Sequence, residues 1–127
     1  MNGFLMVFLG GGLGSAARHG INLLAMQVAG LRYPVGTFLV NVLGSLLIGL
    51  LVELFALRLQ LPANLRLFLI TGILGGFTTF STFSMEVGLL HQRGQTGAAV
   101  VYALASVVCG VAAMFAGMHL TRQLLSH

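Results

Sequence analysis

The chain has 127 residues, 57% of them hydrophobic and 6% charged, and its mean hydropathy is +1.01. A soluble domain carries about 25% charged residues, so a water-soluble globular fold is excluded; the length suits a single membrane domain over residues 1–127. The formal charge of +4 comes from six Arg against Glu53 and Glu86, and these Arg are scattered between apolar runs, where span anchors sit, which excludes the clustered basic face that nucleic acid needs.

A membrane-crossing helix needs about 20 mostly apolar residues, and four stretches qualify: approximately 3–26, 35–57, 63–90 and 98–120. The first is apolar except for Arg18, His19 and Asn22, and it lacks the basic flank of a cleaved signal sequence, so it is read as the first helix. Within it, Gly12-Leu13-Gly14-Ser15-Ala16-Ala17 fits the G-x-G-x-x-A of a dinucleotide fold. No acid follows about 20 residues on to hold a ribose, so these glycines point to close helix packing or the approach of a small ion. Arg18 lies deep in the span, where charge is costly. An anion-attracting vestibule is its leading reading, and a snorkelling anchor the alternative.

Span two contains Asn41, about a turn and a half inside the membrane, whose amide can donate to an anion or simply bond a neighbouring helix. Glu53, near the end of that span, reads as an interface-facing side chain.

Span three follows Pro62 and carries Gly75-Gly76-Phe77-Thr78-Thr79-Phe80-Ser81-Thr82-Phe83-Ser84-Met85-Glu86. A glycine pair followed by hydroxyl residues halfway through a span favours a helix break, which survives at membrane depth only where freed carbonyls, here those of Gly75 and Thr78, line a cavity or hold an ion. The alternative is an unbroken helix packed through Gly72 and Gly76. Phe77, Phe80 and Phe83 are expected to form one aromatic stripe, and Thr79, Thr82 and Glu86 a polar one. Because the edge of a phenyl ring is positive, ring edges and hydroxyl donors together make a path for a small anion.

Span four belongs to a stretch without formal charge, and its Ala99, Ala103, Ser106, Gly110, Ala113 and Gly117 form a small-residue stripe suited to packing on another helix, within the chain or across a dimer seam. Four spans put Arg58, Arg66 and Arg122 at one face and Arg32 and Arg93 at the other. Orientation normally follows a basic excess in cytoplasmic loops, so this near tie predicts insertion in both orientations and an antiparallel dimer, against the plainer reading of one weakly fixed orientation. His19, His91, His119 and His127 lie near span ends without a carboxylate at helical spacing, which gives no proton relay. The single Cys109 permits no intrachain disulfide, and no Cys or His pair has metal-ligand spacing. No nucleophile with a base, and no redox cofactor site, marks an enzyme.

Three blocks, Gly10 to Arg18, Gly36-Thr37 through Asn41 to Gly44, and Gly75 to Ser84 with Glu86, together resemble the Fluc fluoride channels of the CrcB family, in order and spacing over nearly the whole chain. The resemblance implies an all-α membrane protein with its third helix broken near the middle, assembled as a dual-topology antiparallel homodimer in a prokaryotic plasma (inner) membrane. It implies passive fluoride export through two pores and a structural sodium ion as cofactor. By position, Asn41, Phe80 and Phe83 are implied to be pore residues, Ser81, Thr82 and Tyr102 a polar track, Thr37 and Glu86 pore-associated groups, Arg18 a vestibule residue, and the Gly75 and Thr78 carbonyls the sodium ligands. His19 and Leu46 stand where the family commonly has aromatics. Two other classes compete. A small multidrug antiporter has a similar size but needs a carboxylate deep in span one, where this chain has Arg18; a purely structural subunit needs neither break nor donors.

Overall fold

The computed structural model describes residues 2–57 and 60–126, which contain helices and connections but no strand. Arg58 and His127 lie outside the described residues. The helices are α1 (Asn2–Ala29), α2 (Val35–Leu57), α3 (Ala63–Arg66), a π-helical stretch (Leu67–Leu74) that runs straight on into α4 (Gly75–Phe77), then α5 (Phe80–Gln92) and α6 (Thr96–Leu125). Helix is what such sequences must form in lipid, because it satisfies every backbone group within the segment.

The connections stop these helices with identifiable chemistry. Gly30 and Gly94, at φ +79° and +81°, adopt the left-handed conformation that closes α1 and α5, and Pro34 and Pro62 precede α2 and α3. The last connection is shorter than expected. The Gln95 amide reaches back to the Leu90 carbonyl (2.9 Å) while the Gln95 carbonyl already accepts from Ala99 (3.0 Å), so α5 extends to Gln92 and α6 starts at Thr96.

Helix directions follow from which residues meet. In α1 and the π-helical stretch, Gly3 faces Leu67, Gly10 faces Phe68 and Gly72, and Gly14 faces Ile73 and Phe77, so the two run parallel. In α2 and α6, Gly49 faces Met114, Gly117 faces Leu46 and Leu50, and Thr121 donates to the Leu50 carbonyl (3.0 Å), so these also run parallel. Between the two pairs the directions oppose, since Gly36 meets Asn22 and Gly44 meets Thr78. The result is an up-down-up-down arrangement, with the 30–34 and 93–95 connections at one end and Pro62 at the other.

Among the described residues three helices, Val35–Leu57, Ala63–Gln92 and Thr96–Leu125, are long and apolar enough to cross a membrane. With 28 residues, α1 reaches roughly 42 Å at 1.5 Å per residue, but Arg18, His19, Asn22 and its glycines dilute its hydropathy. The chain is an all-α integral membrane protein.

Of the two partners open to the small-residue stripe of α6, the structure shows the one within the chain: Ala99 and Gly117 are buried, the Gly117 backbone lies against the Leu46 carbonyl of α2, and Gly110 lies beside Ser45. What α6 turns outward is bulky and apolar, including Val101, Val108 and Leu124. Glu53 does not face the interface but is 6% exposed, because Arg122 folds over it with Nε and Nη2 at 3.1 and 2.9 Å. Most of the Arg122 side chain remains exposed, so the pair fixes the end of α6 to α2 more than it stabilises the fold.

Glycines at these contacts leave no room for a side chain. A Cβ on Gly49 would run into the Met114 carbonyl, whereas one on Gly88 would meet nothing within 4 Å. Gly49→Ala is therefore expected to destabilise the chain by about 1–3 kcal/mol by forcing α2 and α6 apart. Gly88→Ala should instead stabilise it by about 0.5–1 kcal/mol through helix propensity. Thermal unfolding in detergent, followed by far-ultraviolet circular dichroism, checks both.

Candidate ion pathway

The third span breaks at Thr78 and Thr79, whose backbones are extended (ψ 160° and 115°), while Gly75 and Gly76 stay helical. The helix is broken, which overturns the unbroken alternative, yet the glycine packing that went with it is present, since Gly72 and Gly76 pack against Gly10 and Gly11 of α1. That packing keeps the glycines in register and displaces the break toward the two β-branched threonines.

A break frees backbone groups, and nearby side chains take them up. Asn41 of α2 holds Thr79 from both sides, accepting from its amide through Oδ1 (2.8 Å) and donating through Nδ2 to its carbonyl (3.1 Å). Only one orientation of the amide satisfies both bonds. One Nδ2 hydrogen remains for another acceptor. Arg18 of α1 donates through Nε to the Gly76 carbonyl (3.0 Å). The reading of Arg18 as a snorkelling anchor is thereby corrected, since a bond at the level of the break holds it there. Thr79 Oγ1 caps α5 by accepting from the Thr82 amide (3.2 Å), and the Thr78 hydroxyl bonds back to the Leu74 carbonyl (3.0 Å).

No donor among the described residues reaches the carbonyls of Gly75 and Thr78 from outside their own helices. Both residues line a cavity of about 300 Å³ with Asn41, Ser45 and Phe80, and Gly75 is exposed at the chain surface. Among the described residues no group of three or more His, Cys, Asp or Glu gathers to hold a metal ion. Neutral carbonyl oxygens without a carboxylate fit a hard monovalent cation better than a divalent one.

Beyond the break runs an aromatic row that differs from the expected stripe. Phe80 and Phe83 are 5.7 Å apart between ring centroids, and Phe83 and Tyr102 of α6 are 5.2 Å apart. Phe77 is not part of it. The extended residues rotate α5 relative to α4, so Phe77 points inward against Gly44, 7% exposed, while Phe80 points away from the chain, 78% exposed. Farther along, the Tyr102 hydroxyl donates to Glu86 Oε1 (3.1 Å), with the Thr37 hydroxyl within reach of it. Thr37 is 2% exposed although it is polar, and Thr82 lines the same end of the path together with Glu86. Ser81 is exposed beside Thr79, their hydroxyls 3.5 Å apart.

Sequence reasoning treated Ser106 only as a small packing residue. Its hydroxyl is buried without a hydrogen-bond partner among the described residues, one helical turn from Tyr102, which makes it a further polar group on the inner face of α6. The only sequence signal was a hydroxyl within an otherwise Ala and Gly stripe.

The family model for CrcB-like protein, Camphor Resistance (CrcB), matches residues 5–118. The chain belongs to the CrcB-like family. It is 52% identical over 125 residues, 98% of each chain, to a protein of Granulibacter bethesdensis named fluoride-specific ion channel FluC. It is 53% identical over 119 residues to one of the same name from Methylobacterium nodulans, covering 94% of this chain and 95% of that one. A relative from Nitrobacter hamburgensis, named fluoride-specific ion channel FluC 2, is 47% identical over 95% of this chain and 98% of its own length. The break, its two clasps and the aromatic row all fall within the stretch that the CrcB family model matches.

The Asn41 clasp has a direct test. Asn41→Asp keeps an acceptor for the Thr79 amide but sets a carboxylate oxygen against the Thr79 carbonyl. Loss of that bond, at about 1–3 kcal/mol, predicts roughly 5- to 150-fold faster hydrogen exchange at the Thr79 amide, measured by mass spectrometry, with little change in α6.

Proposed function

We propose that this protein is a passive fluoride channel. The observation that carries the reading is the donor-lined path that starts at the break, within a chain about half identical over nearly its whole length to proteins named fluoride-specific ion channels. A small anion holds its hydration shell tightly, and a low-dielectric passage admits it only by replacing water with oriented donors. The free Nδ2 hydrogen of Asn41, the hydroxyls of Ser81, Thr82, Tyr102 and Ser106, and the positive edges of Phe80 and Phe83 are such donors. None carries a full charge, so the ion is released as readily as it is bound. Arg18 spends Nε on the Gly76 carbonyl and keeps its terminal nitrogens to attract anions in a vestibule. Thr37 and Glu86 orient the Tyr102 hydroxyl at the far end. The chemistry is conduction, not catalysis, and the channel is not an enzyme.

In our reading the working unit is an antiparallel homodimer of chains inserted in both orientations, each with four spans. Two features support it. Phe80 turns 78% of its surface away from its own chain, so one chain supplies a single wall of the path, and the basic residues are nearly balanced between the two ends. The reading places it in a bacterial plasma membrane, where a passive fluoride path lowers the cytoplasmic concentration. The carbonyls of Gly75 and Thr78, from each of two chains, would hold a structural sodium ion, which would supply the positive charge that freed carbonyls at membrane depth require.

The test is ion efflux from liposomes reconstituted with purified protein. Fluoride should leave rapidly and chloride should not, and equal efflux of both, or none, would falsify the channel reading. Phe80→Ile and Phe83→Ile should each cut fluoride efflux by at least about tenfold while the protein still elutes as the wild type does, because aliphatic chains keep the bulk and lose the ring edge. Replacing sodium by a large organic cation on both sides should slow efflux and lower the thermal midpoint over hours. Full activity after prolonged exchange would argue for a break satisfied by water.

A further inference from the structure

The end of the molecule formed by the 30–34 and 93–95 connections contains a cavity of about 280 Å³. Its lining joins Thr37, Thr82 and Glu86, the far end of the proposed fluoride path, to Asn22, Arg32 and Arg93. The sequence assigned Arg32 and Arg93 only the part of loop anchors that set orientation. Their placement gives them more. Arg93 is the C-cap of α5, where the helix dipole favours a cation, and Arg32 has its guanidinium carbon 5.6 Å from the centre of the Tyr33 ring. Neither guanidinium is paired with an acid among the described residues, and the one acid in the cavity, Glu86, is bonded to Tyr102. Two positive charges therefore face one negative charge in a recess walled by Ala25, Met26, Leu89 and Leu90.

We propose that Arg32 and Arg93 form an anion-collecting mouth, which concentrates fluoride where the Thr37 and Thr82 hydroxyls begin the path and so sets the conduction rate when fluoride is dilute. A recess with an excess of one sign of charge and low-dielectric walls focuses the field and raises the local concentration of the opposite ion. The inference rests on the channel reading. It adds a capture site at an end of the path that Arg18, at the level of the break, does not serve. In an antiparallel dimer each membrane face would carry one such mouth, so fluoride would be collected from either side.

A capture site acts through long-range charge and is screened by salt, whereas anchoring of a loop is not. The experiment records single-channel fluoride currents in planar bilayers, which are independent of how many channels insert, for the wild type, the doubly substituted Arg32→Gln, Arg93→Gln channel, and the matching double Lys variant. Fluoride is held at about 10 mM, and ionic strength is raised with a salt of a large organic anion to about 1 M, shortening the screening length from about 30 Å to about 3 Å. The Gln variant should conduct roughly three- to tenfold less than the wild type at low ionic strength and equally at high ionic strength, and the Lys variant should follow the wild type throughout. No deficit at low ionic strength, or a deficit of the same size at every ionic strength, overturns the mouth. Wild-type channels that carry no fluoride current overturn the channel reading itself, and the mouth with it.

Discussion

A lipid-embedded backbone has no water to fall back on, and the whole arrangement follows from how this chain treats the few peptide groups that it leaves outside a helix. Each unsatisfied amide or carbonyl at membrane depth costs several kcal/mol. Two extended residues at Thr78 and Thr79 release several such groups at once. Asn41 and Arg18, polar side chains on two neighbouring helices, are spent on them. They reach the break from different helices, so it can persist only while α1 and α2 keep their places against span three.

Those places depend on close backbone approach. Glycines in α1 and span three bring two helices nearly into backbone contact, as they do again between α2 and α6, because no hydrophobic force draws apolar helices together in an apolar solvent and packing must supply the attraction. This places the Arg18 Nε near enough to bond the Gly76 carbonyl. A helix one side chain farther away would leave that carbonyl bare. The glycine-rich blocks and the polar clasps are thus one device: the first sets the distance that the second requires.

Much of this was legible in the sequence, and the reasons separate cleanly. The spans, their turns and the broken third helix follow from local signals, such as charge-free runs, Gly and Pro at the connections, and hydroxyls after a glycine pair. The place of the break does not. Glycine is a weak helix former, yet contact with Gly11 of α1 holds Gly76 helical, and the interruption falls two residues later. Helical spacing then failed for Phe77 because a periodicity of 3.6 cannot be carried across extended residues. Partners distant in sequence were equally invisible: Arg18 and Gly76 are 58 residues apart, and Arg122 and Glu53 are 69 apart.

The distribution of bonded and unbonded groups around the break separates support from conduction. Groups that hold the fold are paired within the chain: both backbone polar groups of Thr79, the Gly76 carbonyl and the Thr78 hydroxyl. Groups that remain open, the Gly75 and Thr78 carbonyls and the Phe80 ring, lie in or beside the cavity of about 300 Å³. Carbonyls attract cations and ring edges attract anions, so the same surface presents two opposite demands only a few residues apart. One ion cannot meet both. A cation fixed at the carbonyls and an anion passing the rings would meet them separately, and the fixed positive charge would lower the cost of bringing the anion past Phe80. That coupling needs no basic side chain in the narrow part of the path, where a full charge would hold a small anion too tightly to let it leave.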